Sequence, residues 1–190
     1  MKKKRIDRKK IIRGIKLILD GVGEDIKREG LTHTPERIAD FYEEVLSGMS
    51  EDPEVELRKY TTKNKDEMII LKDISFFSLC EHHLLPFFGR VHIAYIPQNN
   101  KMVGFSNMIR MVEIFSKRLQ VQERLTSQIA DSIRDALNAK GVLIVVEAEH
   151  LCLTMRGIKK PGSKIVTSAI RGMMRKDATR AEALALLERA

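Results

Sequence analysis

The chain's apolar periodicities predict an α+β fold, and three observations carry that expectation. Helical three- and four-residue spacing appears first, strand-like alternation follows, and both textures then recur once more, so helices and strands are grouped rather than strictly alternating. At 190 residues and 43% hydrophobic content the chain has material for one ordinary domain with a small helical appendage. It has no Trp and only 5% aromatic residues, so aliphatic side chains must build most of the core.

The first helix is expected from about Arg8 to Arg28, where Ile11, Ile12, Ile15, Leu17, Ile18 and Leu19 form a broad apolar face and Gly30 is the expected stop. A second begins at Thr34, read as the cap, with Pro35 in the first helical position. Ile38, Phe41, Tyr42, Val45 and Leu46 continue its apolar face, and the stretch from Ser47 to Pro53 ends it. Short strands are expected at Met68–Leu71, Ile74–Leu79 and Phe87–Ile96, the last closed by Pro97 and Gln98-Asn99-Asn100. Two helices follow. The first carries Met108, Met111, Val112, Phe115 and Leu119 on one face; the second repeats Leu125, Ile129, Ile133 and Leu137 and is expected to stop at Gly141. A long strand from Val142 to about Arg156, a loop through Gly157, Pro161 and Gly162, a strand at Ile165–Ile170 and a helix at Ala178–Arg189 complete the order.

Composition narrows the function classes. No run of eighteen apolar residues occurs, which argues against a transmembrane helix. The basic start MKKKR leads into an apolar run broken by Arg13 and Lys16 with no cleavage site after it, so no secretory signal and no membrane partner are expected, and the chain is read as cytoplasmic. The net charge of +8 favours anionic partners such as phosphorylated small molecules. A nucleic-acid partner is not expected, because no aromatic-rich reading surface accompanies the charge and the basic start reads as a solvated terminus. Two cysteines, Cys80 and Cys152, are too few for a disulfide scaffold and in a reducing compartment are free, buried or metal-bound.

Those cysteines carry the chemistry. Cys80-Glu81-His82-His83 offers a Cys-x-x-His spacing. Along the strand expected from Val142 to about Arg156, alternation places His150, Cys152, Thr154 and Arg156 on one face, about 6.8 Å apart at each second residue. Cys80, Cys152 and one of His82 and His83 then supply two thiolates and an imidazole, leaving a fourth tetrahedral position for water, as catalytic zinc sites do. A closed four-ligand site using a second histidine is the alternative. Zinc would lower the pKa of a bound water toward ~7, and a histidine left off the metal could move protons. His33 and His92 read as bland. Ser106 is expected to cap the helix that follows Gly104-Phe105, where free N–H groups attract phosphate; Arg110 lies one turn further, and Arg156 could meet the same polyphosphate. Glu123, beside Gln122, could accept hydrogen bonds from the N1–H and 2-amino group of a guanine.

The stretches FFSLCEHHLLPFFGRVHIAYIP, VGFSNMIRMVEIFSKRLQVQERLTSQIA and VVEAEHLCLTMRGIKKPGSKIVTSAIRG, with the earlier LTHTPERIADFYEEVLSG, resemble GTP cyclohydrolase I. The resemblance implies a tunnelling fold, an antiparallel sheet backed by helices, over residues 61–190, with an N-terminal helical extension over 1–60. It implies a homodecamer of two pentamers with sites at subunit junctions, and conversion of GTP and water to formate and 7,8-dihydroneopterin triphosphate, the first step of tetrahydrofolate and pterin synthesis. By position, Cys80, His83 and Cys152 resemble the family's zinc ligands and His82 and His150 its proton-transfer residues. Gln122 and Glu123 resemble the pair that holds the guanine, and Ser106, Arg110 and Arg156 the residues that face the triphosphate. One position departs from the pattern: the lysine that follows the serine in the family's GLSK is Asn107 here, which removes a positive charge from the expected phosphate site.

Overall fold

The computed structural model describes residues 6–61 and 67–188; the basic run Met1–Arg5 lies outside them. The element order is α1 (Arg8–Gly21), α2 (Thr34–Val45), β1 (Lys59–Thr61), β2 (Ile69–Cys80), β3 (Pro86–Ile96), β4 (Lys101–Val103), α3 (Phe105–Ser116), β5 (Leu119–Gln120), α4 (Gln122–Leu137), β6 (Gly141–His150), α5 (Leu151–Thr154), β7 (Lys164–Gly172) and α6 (Asp177–Glu188).

Five strands form one sheet in the order β5-β2-β3-β6-β7, antiparallel throughout except for the short parallel β5–β2 pair; β1 and β4 form a separate two-stranded ribbon. Alternation along the strands gives the sheet two faces. One carries Phe76, Val91, Ile93, Tyr95, Val142, Ile144 and Val146, which pack against Met108, Met111, Val112 and Phe115 of α3 and Leu125, Ile129 and Ile133 of α4. The other is covered in part by the C-terminal segment, where Met174 and Ala183 meet Ala94, Ile96 and Leu143. This is the expected α+β layout, an antiparallel sheet backed by helices with a helical segment before it.

Gly89 lets the two central strands approach. A Cβ there would stand 1.9 Å from the Glu147 carbonyl oxygen of β6. The helical segment is tied back to α3 by Arg118, whose Nε donates to the carbonyls of Gly48 (2.9 Å) and Ile114 (3.1 Å) and whose Nη2 donates to that of Glu51. Arg8 pairs with Asp40 and Glu43, joining α1 to α2.

Several expected boundaries differ. α1 ends at Gly21 rather than near Arg28, because the chain turns at Gly23 in a left-handed conformation (φ 82°). His33, not Thr34, occupies the N-cap of α2 and makes no side-chain cap bond, while Pro35 sits in the first turn as expected. The strands expected at 68–71 and 74–79 are one strand, interrupted by an irregularity between Leu71 and Ile74 where Asp73 has φ 58°. His92 accepts the Asp73 N–H there (3.3 Å), and burial lowers its pKa. α4 stops at Asn138 in a left-handed cap rather than at Gly141, which opens β6. The expected strand through Arg156 is broken: β6 ends at His150 and residues Leu151–Thr154 make one helical turn.

Candidate active site

Three segments meet at the end of the sheet where β2 closes, β6 ends and α4 begins. The Cys80–His83 turn is shaped by main-chain bonds. Cys80 N–H donates to the Leu85 carbonyl (2.9 Å), Leu84 N–H to the Cys80 carbonyl (2.8 Å) and Glu81 N–H to the Gln120 carbonyl (3.0 Å). Leu84 takes a positive φ of 55° to complete it. The Glu81 carboxylate receives two bonds from Arg124 (2.6 and 2.9 Å), which fasten the turn to the first turn of α4. That pairing lowers the Glu81 pKa.

Cys152 does not reach the turn by strand alternation, and it does not share a strand face with His150. The helical turn after His150 brings it there. The thiols of Cys80 and Cys152 and a ring nitrogen of His83 lie within 4.8 Å of one another, the one such group of His, Cys, Asp and Glu among the described residues. Donors this close can be gathered onto one tetrahedral ion with bonds of about 2.0–2.3 Å, and two sulfurs with one imidazole suit zinc. His82 Nδ1 stands 3.9 Å from the Cys80 sulfur and His83 Nδ1 4.0 Å, but only His83 joins the three-residue group. Burial raises the pKa of the Cys152 thiol, and the adjacent Cys80 adds to the rise.

His150 stands at the end of β6 opposite Phe87 in the β3 register, and the two rings stack at 4.6 Å and 9°. Burial lowers the His150 pKa, while the Glu123 carboxylate acts in the opposite direction. Glu123 is exposed on the first turn of α4. Gln122, expected beside Glu123 at a guanine, is buried at 2% exposure and its amide is engaged within the chain: Nε2 reaches the carbonyls of Val146 and Ile165 and the Thr167 hydroxyl, and Oε1 lies 2.8 Å from His150 Nε2.

Arg156 is exposed beyond α5 with Nη1 2.9 Å from His83 Nε2, so it lies at the cluster. Ser106 and Arg110 do not join it through any hydrogen bond or ion pair among the described residues. Gly104 rather than Ser106 is the N-cap of α3; Ser106 is exposed in its first turn. Arg110 pairs with Glu56 at 3.9 Å. Asn107 donates from Nδ2 to the Glu56 carbonyl (2.7 Å), tying α3 to the segment before β1.

A family model described as GTP cyclohydrolase I matches residues 11–188. The chain belongs to the GTP cyclohydrolase I family. It is 56% identical to GTP cyclohydrolase 1 of Carboxydothermus hydrogenoformans over 96% of this chain and 95% of that protein. Against GTP cyclohydrolase 1 of Pelotomaculum thermopropionicum the identity is 57%, over 96% and 97% of the two chains. GTP cyclohydrolase 1 of Clostridioides difficile is 50% identical over 96% and 97%. As a GTP cyclohydrolase I the chain is a hydrolase, and its Cys80–His83–Cys152 group is one that could hold a metal ion. No helix among the described residues is long and apolar enough to cross a membrane.

Four residues around this site escaped the sequence reading: Phe87 against His150, Arg124 on Glu81, Thr167 on the Gln122 amide, and Thr126, whose hydroxyl donates to the Gln122 carbonyl and contacts Thr167. Arg124 adjoins Glu123 and could have been paired with Glu81 only by knowing that α4 starts beside the turn. Phe87 alternates as a strand residue should, with nothing to mark a ring partner.

Proposed function

We propose that this chain is a zinc-dependent enzyme that opens the imidazole ring of the guanine of GTP, releases formate and forms 7,8-dihydroneopterin triphosphate, the first step of tetrahydrofolate and pterin synthesis. The convergence of Cys80, His83 and Cys152 beside His150 and Glu123 carries this reading. Cys80, His83 and Cys152 would hold the metal, which when bound supplies Lewis acidity and lowers the pKa of water toward ~7.

The chain's own groups do the rest. Glu123, exposed at the start of α4, accepts the N1–H and 2-amino hydrogens of guanine; adenine offers no such pair of donors, so it would leave the carboxylate unpaired. His150 exchanges protons at the opening ring, with His82 as the second exposed imidazole at the turn. Arg156 meets the triphosphate from the cluster side, and Ser106 and Arg110 from the start of α3.

Among the described residues Ser106 and Arg110 make no hydrogen bond or ion pair to the cluster, which fits a site completed at a junction between copies; we read the assembly as a cytoplasmic homodecamer of two pentamers. Exposed apolar side chains favour such assembly: Phe77 at 70% and Ile158 at 68% would otherwise face water. With Asn107 in place of lysine and engaged at Glu56, the arginines carry the phosphate charge. Incubating the protein with GTP should give one formate and one fluorescent pterin per turnover, with Cys152→Ala abolishing both formate release and metal content. Full activity in a metal-free Cys152→Ala protein would refute the proposal. GDP and GMP should be poor substrates; equal turnover of all three would refute triphosphate recognition.

A further inference from the structure

The amide of Gln122 has a forced orientation. Its Nε2 lies 3.0 Å from the Val146 carbonyl of β6, 3.0 Å from the Ile165 carbonyl of β7 and 3.1 Å from Thr167 Oγ1. Main-chain carbonyls only accept, so the amide cannot be turned round without setting Oε1 against two other oxygens. The hydroxyl hydrogens agree with this. Thr126 donates to the Gln122 carbonyl (2.7 Å), so the 2.7 Å Thr126–Thr167 contact must be donated by Thr167, whose oxygen is then left to accept from Gln122. Both hydroxyl hydrogens in the loop have one direction, and the two Nε2 hydrogens are shared among three acceptors, none of which could donate to Oε1 in their place.

Oε1 therefore accepts, and its partner at 2.8 Å, His150 Nε2, must carry a hydrogen. The Phe87 ring stacked against His150 holds the imidazole in that plane. His150 Nδ1 has no partner among the described residues and is left with its lone pair.

We infer that Gln122 is a positioning residue: it fixes His150 as the Nε2–H tautomer and leaves Nδ1 as the ring's bare nitrogen. The inference rests on His150 being the proton-transfer group proposed above, and it moves Gln122 from the guanine to the histidine behind it.

The test is solid-state nitrogen NMR on the full-length protein labelled at its five histidines, with the His150 signals identified by their loss in His150→Asn. The expected neutral His150 has a bare Nδ1 and a protonated Nε2. An Nδ1–H form, or a mixture, overturns the inference, and this reading needs no Gln122 variant to fold. In Gln122→Met, which keeps the side-chain length without the amide, the tautomers should mix and kcat should fall about ten- to hundred-fold, with KM for GTP moving less than about threefold. A raised KM with unchanged kcat would place Gln122 at the guanine and overturn the inference. GTP turnover by a wild-type protein whose His150 is Nδ1–H overturns the positioning role and leaves the activity standing; an Nε2–H His150 in a protein without turnover does the reverse.

Discussion

Replacing Arg124 by Met separates the stability of the fold from the stiffness of the metal-bearing turn. The guanidinium makes two bonds to Glu81, at 2.6 and 2.9 Å, in the bidentate geometry that is strongest for this pair. Both side chains are partly in water, at 44% and 31% exposure, so the pair contributes little to folding. The main-chain bonds of Cys80, Glu81 and Leu84 remain in the variant. The Tm should therefore fall by no more than roughly 2–4 °C for a chain of this size. The turn carries Cys80 and His83, however, and residues that orient ligands typically change metal affinity about 10–100-fold. Because Glu81 acts through the backbone rather than on a ligand atom, the lower end, about tenfold, is expected. Chelator competition measures the affinity and calorimetry the Tm, with Glu81→Gln and the double variant closing the cycle. Metal affinity unchanged within about twofold would show that the backbone alone holds the turn, and would refute the reasoning.

Gly89→Ala should be severe, since the new Cβ meets the Glu147 oxygen at 1.9 Å and the Ala148 Cα at 2.7 Å, both backbone of the paired strand. A loss of about 3 kcal/mol or more is expected, read as a fall in Tm of roughly 6–12 °C; a neutral variant would contradict the β3–β6 register. Burial, with Tyr60 adding to it, pushes the Tyr95 hydroxyl up to about 12. The unfolded chain deprotonates this phenol near pH 10 while the folded chain keeps it neutral, so its contribution to stability is complete below pH 10 and is lost between 10 and 12. Tyr95→Phe should flatten the unfolding curve across that window at little cost near neutrality, because the Val103 backbone beside the hydroxyl does not meet it in good hydrogen-bond geometry; an unchanged alkaline limb would refute it.

The parts of this fold that were legible are those written in local spacing. The apolar rows of α2 and α4 and the alternation of β3 and β7 lie where their periodicity places them; the α3 row holds through Phe115, but Leu119, expected on the same helical face, begins β5 because the helix ends at Ser116. The segment after His150 shows the limit. His150, Leu151, Cys152, Leu153 and Thr154 alternate polar and apolar as a strand would, yet four residues with a Met155 N–H to Leu151 carbonyl bond make a helical turn, and a run this short cannot separate the two periods. Cys152 reached the cluster all the same, through curvature rather than alternation. The Cys-x-x-His spacing was informative because a tight turn keeps its two donors close. Gln122 was opaque for the opposite reason. Its partners are carbonyls and a hydroxyl 24 to 45 positions away on two other strands, which no local pattern encodes. Ser106 has the composition of a cap, but Gly104 holds the extended conformation that begins α3 and takes that place.

Zinc-edge X-ray absorption on the protein as purified examines the cluster itself. The account predicts one zinc per chain with two sulfur neighbours near ~2.3 Å, one imidazole nitrogen near ~2.0–2.1 Å and one light-atom neighbour that is not a second imidazole. A first sphere of two sulfurs and two imidazoles, or of no sulfur at all, would contradict it.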